Sequence, residues 1–173
     1  KPTEFKKDQI TMSIESEGGL SKVALEDLPS AAMATSIVAY NGIGEFSYLD
    51  LQKALTGKNV SLSPSIDEYE EGMSGASTVK DFETMMQLAY LYFTAPRQDD
   101  QAYQSLMSML ETQLAARDKN PKAAFQDSIS QTIASHHVRE MIVDVNFIKK
   151  VDQLRAIEIY KERFANPADF FVT

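Results

Sequence analysis

The sequence predicts an α+β domain, an antiparallel sheet with helices packed on one of its faces. Three observations carry that expectation. Apolar side chains recur at every second residue in Ile10–Met12–Ile14 and in Val60–Leu62–Pro64–Ile66, the pattern of strands that bury one face. A polar link of hairpin length, Asp67 to Glu70, follows the second run. Around this pair, apolar residues at steps of three and four mark amphipathic helices.

The opening strand ends at Gly18–Gly19, and the polar stretch before it, Lys1 to Asp8, is expected to form a turn leading from an earlier strand. Asp27 is placed to cap a helix over the small-residue run Ser30 to Tyr40, which stops at Asn41–Gly42. So many alanines predict close packing. Gly44 to Ser47 form a loop, Ser47 caps a short helix from Tyr48 to Leu55, and Gly57 ends it.

The hairpin comes next. Pro64 has no backbone donor, so its strand belongs at a sheet edge or with that position facing outward. The returning strand, Glu71 to Ser77, has little bulk at Gly72, Ser74, Gly75 and Ala76, so a neighbour approaches its backbone closely or the strand bends. A helix packed over these small residues is expected, in preference to a ligand cradle. Thr78 then caps the central helix, with Asp81 at the reciprocal capping-box position. Phe82, Met85, Met86, Ala89, Tyr90 and Phe93 form its expected core face, and Pro96 stops it.

Asp99 or Asp100 caps a long amphipathic helix that presents Tyr103, Leu106, Met107, Leu110 and Leu114. Asn120–Pro121 starts another, with Phe125, Ile129 and Ile133 on one face. These two form an outer layer. Between Ser135 and Val145 the pattern is weak, and Val138, Ile142 and Val143 suit a loop or a short extended segment. Phe147 to Phe164 reads as one helix with Val151, Leu154, Ile157, Tyr160 and Phe164 inward, and Asn166–Pro167 leads to a terminal strand.

At 173 residues the chain has the length of a single domain, enough to bury about two-thirds of its unfolded surface. It contains no cysteine, which removes disulfides, thiolate nucleophiles and sulfur-ligated metals while leaving the compartment open. A net charge of -8 and the lack of a basic stripe with interleaved aromatics oppose nucleic-acid binding. No apolar run approaches the ~20 residues that span a bilayer, so membrane insertion is not expected. The chain starts at Lys1 and stops in the β-prone run Phe170 to Thr173, and it is expected to be an excised fragment of a longer multidomain chain.

No motif declares a reaction. The only histidines are His136 and His137; adjacent residues point to different faces of a helix, and only His136 and Glu140 could share one. Two candidate ligands fall short of the three or four a zinc site needs. The carboxylate pairs Glu70–Glu71 and Asp99–Asp100 fall in expected connections, where solvated charge is the default. Gly72–Met73–Ser74–Gly75 misses the nucleophile-elbow spacing by one, and Gly42–Ile43–Gly44 lacks the third glycine and the preceding strand of a dinucleotide fingerprint.

The element order and several phrases together resemble the pitrilysin/insulinase family of zinc peptidases, the inverzincins. The phrases are Glu26–Asp27–Leu28–Pro29, Gly42 to Ser47, Leu51 to Lys58, Gly72–Met73–Ser74–Gly75, Tyr92 to Arg97 and Tyr160 to Asn166. They are similar to the third of four homologous domains in long bacterial members, the first of the carboxyl-terminal half. The resemblance implies a fold of that family's metallohydrolase-core type. In the family's catalytic domain an H-x-x-E-H motif supplies two zinc ligands and the base that activates water. Anchored on Gly42, those positions fall on Met33, Ser36 and Ile37, and no histidine precedes Ser135.

The resemblance therefore implies a single non-catalytic domain over residues 1–173, without catalytic, cofactor-binding or metal-binding residues of its own. It would be a substrate-enclosing structural domain of a zinc metalloendopeptidase acting on peptides, with zinc in the parent's catalytic domain. Its partners would be other domains of the same parent chain and the peptide substrate. The alternative is a domain of an inactive paralogue that serves as an assembly or protein-interaction subunit. Whether the parent is an active enzyme is left open, and location in the periplasm or cell envelope is only the habit of similar bacterial members.

Overall fold

The structure is a computed structural model. It describes residues 8–173; of the turn expected over Lys1 to Asp8, residues 1–7 lie outside the described residues.

Four strands form one antiparallel sheet in the order β2-β3-β1-β4: β1 Gln9–Glu17, β2 Val60–Ile66, β3 Glu70–Thr78 and β4 Phe171–Val172. The register sets Met12 opposite Gly75 and Gly75 opposite Leu62, and likewise Ile14 opposite Met73 and Met73 opposite Pro64. Met12, Ile14, Leu62 and Met73 are thereby buried on one face, as the period-two pattern requires. Pro64 lies on the edge strand β2, where a missing donor costs no ladder bond if it faces outward.

The helices are α1 Leu28–Asn41, α2 Tyr48–Ala54, α3 Phe82–Thr94, α4 Asp100–Arg117, α5 Pro121–Ile133, α6 Val145–Ile148 and α7 Gln153–Arg163. The Ala-rich α1 and the Met-rich α3 lie against β2, α3 also against β3, and α7 packs on α1. Ala31, Ala34 and Ala156 are buried where α1 and α7 belong to the packed interior, so the small side chains let the two helices approach. At the end of α1, Gly42 adopts a φ of 90°, and a Cβ there would meet the Phe46 carbonyl oxygen at 2.1 Å.

Caps fall largely where expected. Ser47 accepts from the Asp50 amide at 3.2 Å, Asp99 from Ala102 at 3.0 Å and Asn120 from Lys122 at 3.0 Å. Thr78, expected to cap α3, closes the turn before it instead, its Oγ1 accepting from the Asp81 amide at 3.2 Å, and Asp81 stands at the N-cap of α3 without a side-chain cap bond. Asp81 completes a different circuit from the capping box: its carboxylate accepts from the Thr78 hydroxyl at 2.8 Å and from the Asn59 amide at 2.9 Å, tying α3 to the start of β2. Asp27 stands at the start of α1 but makes no cap bond, because Arg155 holds its carboxylate.

Other expectations are corrected. Gly72 and Gly75 are required by neighbouring strands and not by a helix: a Cβ would lie 2.1 Å from the Ile14 carbonyl oxygen at Gly72 and 2.1 Å from that of Ser61 at Gly75. The helix expected from Phe147 to Phe164 is broken at Lys149–Asp152. There the Asp152 amide donates to Ser30 Oγ at 2.9 Å and the Val151 carbonyl accepts from the Tyr103 hydroxyl at 2.8 Å, while Asp152 caps α7 through the Arg155 amide at 2.8 Å. Leu154 consequently faces solvent, and Ile159 joins Ile157, Tyr160 and Phe164 inside.

On α3 the core face is Met85, Leu88, Ala89 and Tyr92, whereas Phe82, Met86 and Tyr90 point outward. Tyr160 donates its hydroxyl to the Tyr92 carbonyl at 3.1 Å, and burial pushes its phenol pKa well up. Phe93 is half-buried and meets Phe164 and Phe170 edge-on, at 5.8 and 5.1 Å between ring centroids. Residues 135–144 form turns and irregular backbone that leave Val138, Ile142 and Val143 exposed. Arg139 ties this stretch to the body through the carbonyls of Leu20, at 2.8 Å, and Val23, at 2.9 Å.

Candidate functional site

The positions matched to zinc ligands and base lie on α1, whose start is set by Pro29 and whose end is set by Gly42. Ile37 is fully buried in the main core, Met33 is half-buried against it, and Ser36 is exposed. A hydrocarbon, a thioether and a neutral hydroxyl do not fit zinc, which is held by imidazole, thiolate or carboxylate. None of them is a general base near neutral pH. Zinc chemistry therefore has no support from these three residues.

The histidine stretch does not replace it. His136, His137 and Glu140 are exposed, and the backbone here is not helical, so His136 and Glu140 do not share a helix face. Ser135 and His136 take left-handed φ values of 52° and 54°, and the His136 amide closes back on the Gln131 carbonyl at 2.8 Å, which is a helix termination. Among the described residues no three His, Cys, Asp or Glu side chains converge as a metal-binding group.

The carboxylate pairs separate into structural roles. Asp99 caps α4 and pairs with Arg97 at 3.2 Å; the Ala102 amide, with help from Arg97, holds its pKa below the usual carboxylate range. Glu70–Glu71, expected in a connection, lies in β3, and Glu71 is buried with its carboxylate accepting from the Gly19 amide. Nothing in the local sequence signals this burial; it follows from the way the 18–21 loop folds onto the hairpin turn, with Gly18, Leu20 and Ser21 amides bonded to Tyr69, Asp67 and Glu68 carbonyls at 2.6–2.8 Å.

The most extended feature is the sheet face turned away from the helices. In register across β2, β3 and β1 it carries Ser61, Ala76 and Thr11, then Ser63, Ser74 and Ser13, then Ser65, Gly72 and Glu15. Thr11, Ser61, Ser63, Ser65 and Ser74 are exposed, so the middle of this side of the sheet is a field of small hydroxyls. The alternating serines of β2 were its sequence signal, although their alignment with Ser74, Ser13 and Thr11 depends on strand order. Such a face offers small hydrogen-bonding groups, with the exposed carboxylates of Glu15, Glu17 and Glu70 at one end. No helix among the described residues is long and apolar enough to cross a membrane.

No family model matches the chain. A curated relative, the "Zinc protease PQQL-like" protein of Arabidopsis thaliana, is 26% identical over 175 residues, covering 99% of this chain and 16% of the relative. Among solved structures, the periplasmic protease PqqL of Escherichia coli matches with a TM-score of 0.76 and 19% identity over 98% of this chain and 19% of that one. A mutant of the ferredoxin protease FusC, in complex with Arabidopsis ferredoxin, matches with a TM-score of 0.74 and 16% identity, over 96% and 18% of the two chains. The chain thus spans about a sixth to a fifth of these relatives' length. Sequence likeness to part of a zinc protease-like protein and the fold shared with PqqL and FusC agree with the motifs that resemble the pitrilysin/insulinase family of zinc peptidases.

Proposed function

We propose that residues 1–173 form a non-catalytic domain of a longer zinc metallopeptidase, and that the sheet face that no helix among the described residues covers is part of the wall enclosing a peptide substrate. The observation that carries this reading is the hydroxyl field of Thr11, Ser13, Ser61, Ser63, Ser65 and Ser74, on a domain whose zinc-motif positions hold Met33, Ser36 and Ile37. A wall for an unfolded chain must accept varied side chains without gripping any one of them. Small neutral hydroxyls meet that need, since they hydrogen-bond weakly and present no apolar patch. Zinc, the water it activates and the general base belong, in this reading, to another domain of the parent chain. FusC's capture of ferredoxin supports a protein or peptide as the class of substrate.

The test is kinetic and uses the longer protein. Arginines at Ser63 and Ser74, both exposed and so compatible with folding, place two cations on the wall. The reading expects KM for an unstructured substrate longer than the catalytic cleft to shift several-fold, with kcat on a short peptide unchanged. Unchanged kinetics on both substrates would contradict it.

A further inference from the structure

Helix α3 is apolar on two sides. Met85, Leu88, Ala89 and Tyr92 fill the core. On a second side, Phe82, Met86 and Tyr90 follow each other at steps of four and are 39%, 44% and 67% exposed; Val79, 64% exposed, precedes them by three residues. Helix residues four apart are surface neighbours, so Phe82, Met86 and Tyr90 make one stripe rather than scattered apolar exposures. Beside it, Met86, Tyr90 and Leu91, with Glu83 and Gln87, line a shallow depression of about 500 Å³. An apolar centre with an aromatic, a methionine and a polar margin is the composition of a protein interface. A helix apolar on both sides is one that packs between two layers, and the described residues supply only one.

The chain covers 16% of its Arabidopsis relative and 19% of PqqL, so most of each relative's length lies outside the matched part. We propose that Phe82, Met86 and Tyr90 are the docking face for an apolar surface of another part of the same polypeptide. This rests on the reading above, that the chain is one domain of a longer peptidase. The partner surface is apolar at its centre, with a protruding side chain for the depression and a hydrogen-bond donor facing Glu83.

Adjacent methionines supply the test. Met85 is fully buried and Met86 is 44% exposed, and oxidation to the sulfoxide follows exposure. Peroxide oxidation read by mass spectrometry is run on the isolated 173-residue chain and on the full-length polypeptide that contains it. In the isolated chain Met86 is expected to oxidise about tenfold faster than Met85, and in the full-length protein that difference is expected to vanish. Equal lability of Met86 in both samples overturns the proposal. Protection of Met86 already in the isolated chain, with a dimer by sedimentation, overturns it in favour of a second copy. Peptidase activity of the full-length sample is read in parallel. An active enzyme with labile Met86 removes the docking face alone, and a protected Met86 in an inactive protein keeps the docking face while removing the peptidase reading.

Discussion

Arg155 on α7 grips Asp27 at the start of α1 through two donors aimed at one oxygen, Nε at 3.0 Å and Nη2 at 2.9 Å from Oδ2. Its remaining amine reaches Glu162 at 3.0 Å and Glu158 at 3.3 Å on its own helix. The guanidinium thereby fastens the two most closely packed helices at a point where α1 forgoes its cap. Because both partners are partly exposed, solvent screens the pair, and an interaction of about 0.5–1 kcal/mol is expected. Arg155→Ala and Asp27→Ala should each destabilise by about that much in urea titrations, and the double variant should cost less than their sum. Strict additivity would show that the contact contributes nothing.

Leu62 and Met12 lie on either side of Gly75 in the sheet and are both buried beneath the helices. Replacing either by alanine removes buried methylenes and leaves a cavity, so each should cost about 2–5 kcal/mol. Gly75→Ala should be at least as damaging, because its Cβ would meet the backbone oxygen of Ser61 at 2.1 Å. Chemical denaturation measures all three, and losses near zero would contradict the register.

Asp81 titrates below the usual carboxylate range, chiefly because it accepts the Asn59 amide and then the Thr78 hydroxyl. A carboxylate with a depressed folded-state pKa stabilises above the unfolded value of about 3.9, and the contribution is lost as pH falls through the lower folded value. Acidification from about pH 5 should therefore weaken the wild-type chain more than Asp81→Asn, while the two keep a constant difference between about pH 6 and 8. Parallel pH profiles below pH 5 would show that the charge on Asp81 does not matter.

Much of the architecture is local and so was legible in the sequence. The alternation in β1 and β2, the Ser47, Asp99 and Asn120 caps and the stops at Gly42 and Pro96 need no knowledge of distant residues. The misreadings have tertiary causes. Helix α3 has apolar residues on two sides, and only its packing on β2 and β3 selects Met85, Leu88, Ala89 and Tyr92 for the core, while the break before α7 comes with Ser30 and Tyr103 capturing the backbone at Val151–Asp152. Glu71 reads as solvated charge until the Gly19 amide closes on it. For the site, the unsuitability of Met33, Ser36 and Ile37 for zinc follows from residue type alone. The hydroxyl field required strand order, since only the pairing of β3 with both β1 and β2 brings Ser13, Ser74 and Ser63 into one row.

The central claim is that peptide hydrolysis belongs elsewhere than in this domain. Zinc-dependent hydrolysis needs a metal with an open coordination position and a base within hydrogen-bond reach of its water. The direct measurement is incubation of the purified chain with unstructured peptides, with and without added zinc, alongside a thermal melt with and without a chelator. The account predicts no cleavage under either condition and the same Tm with the chelator, the result expected of a chain whose folding is uncoupled from metal binding. Cleavage that requires zinc and is abolished by His136→Ala would contradict the account and put the active site within this chain.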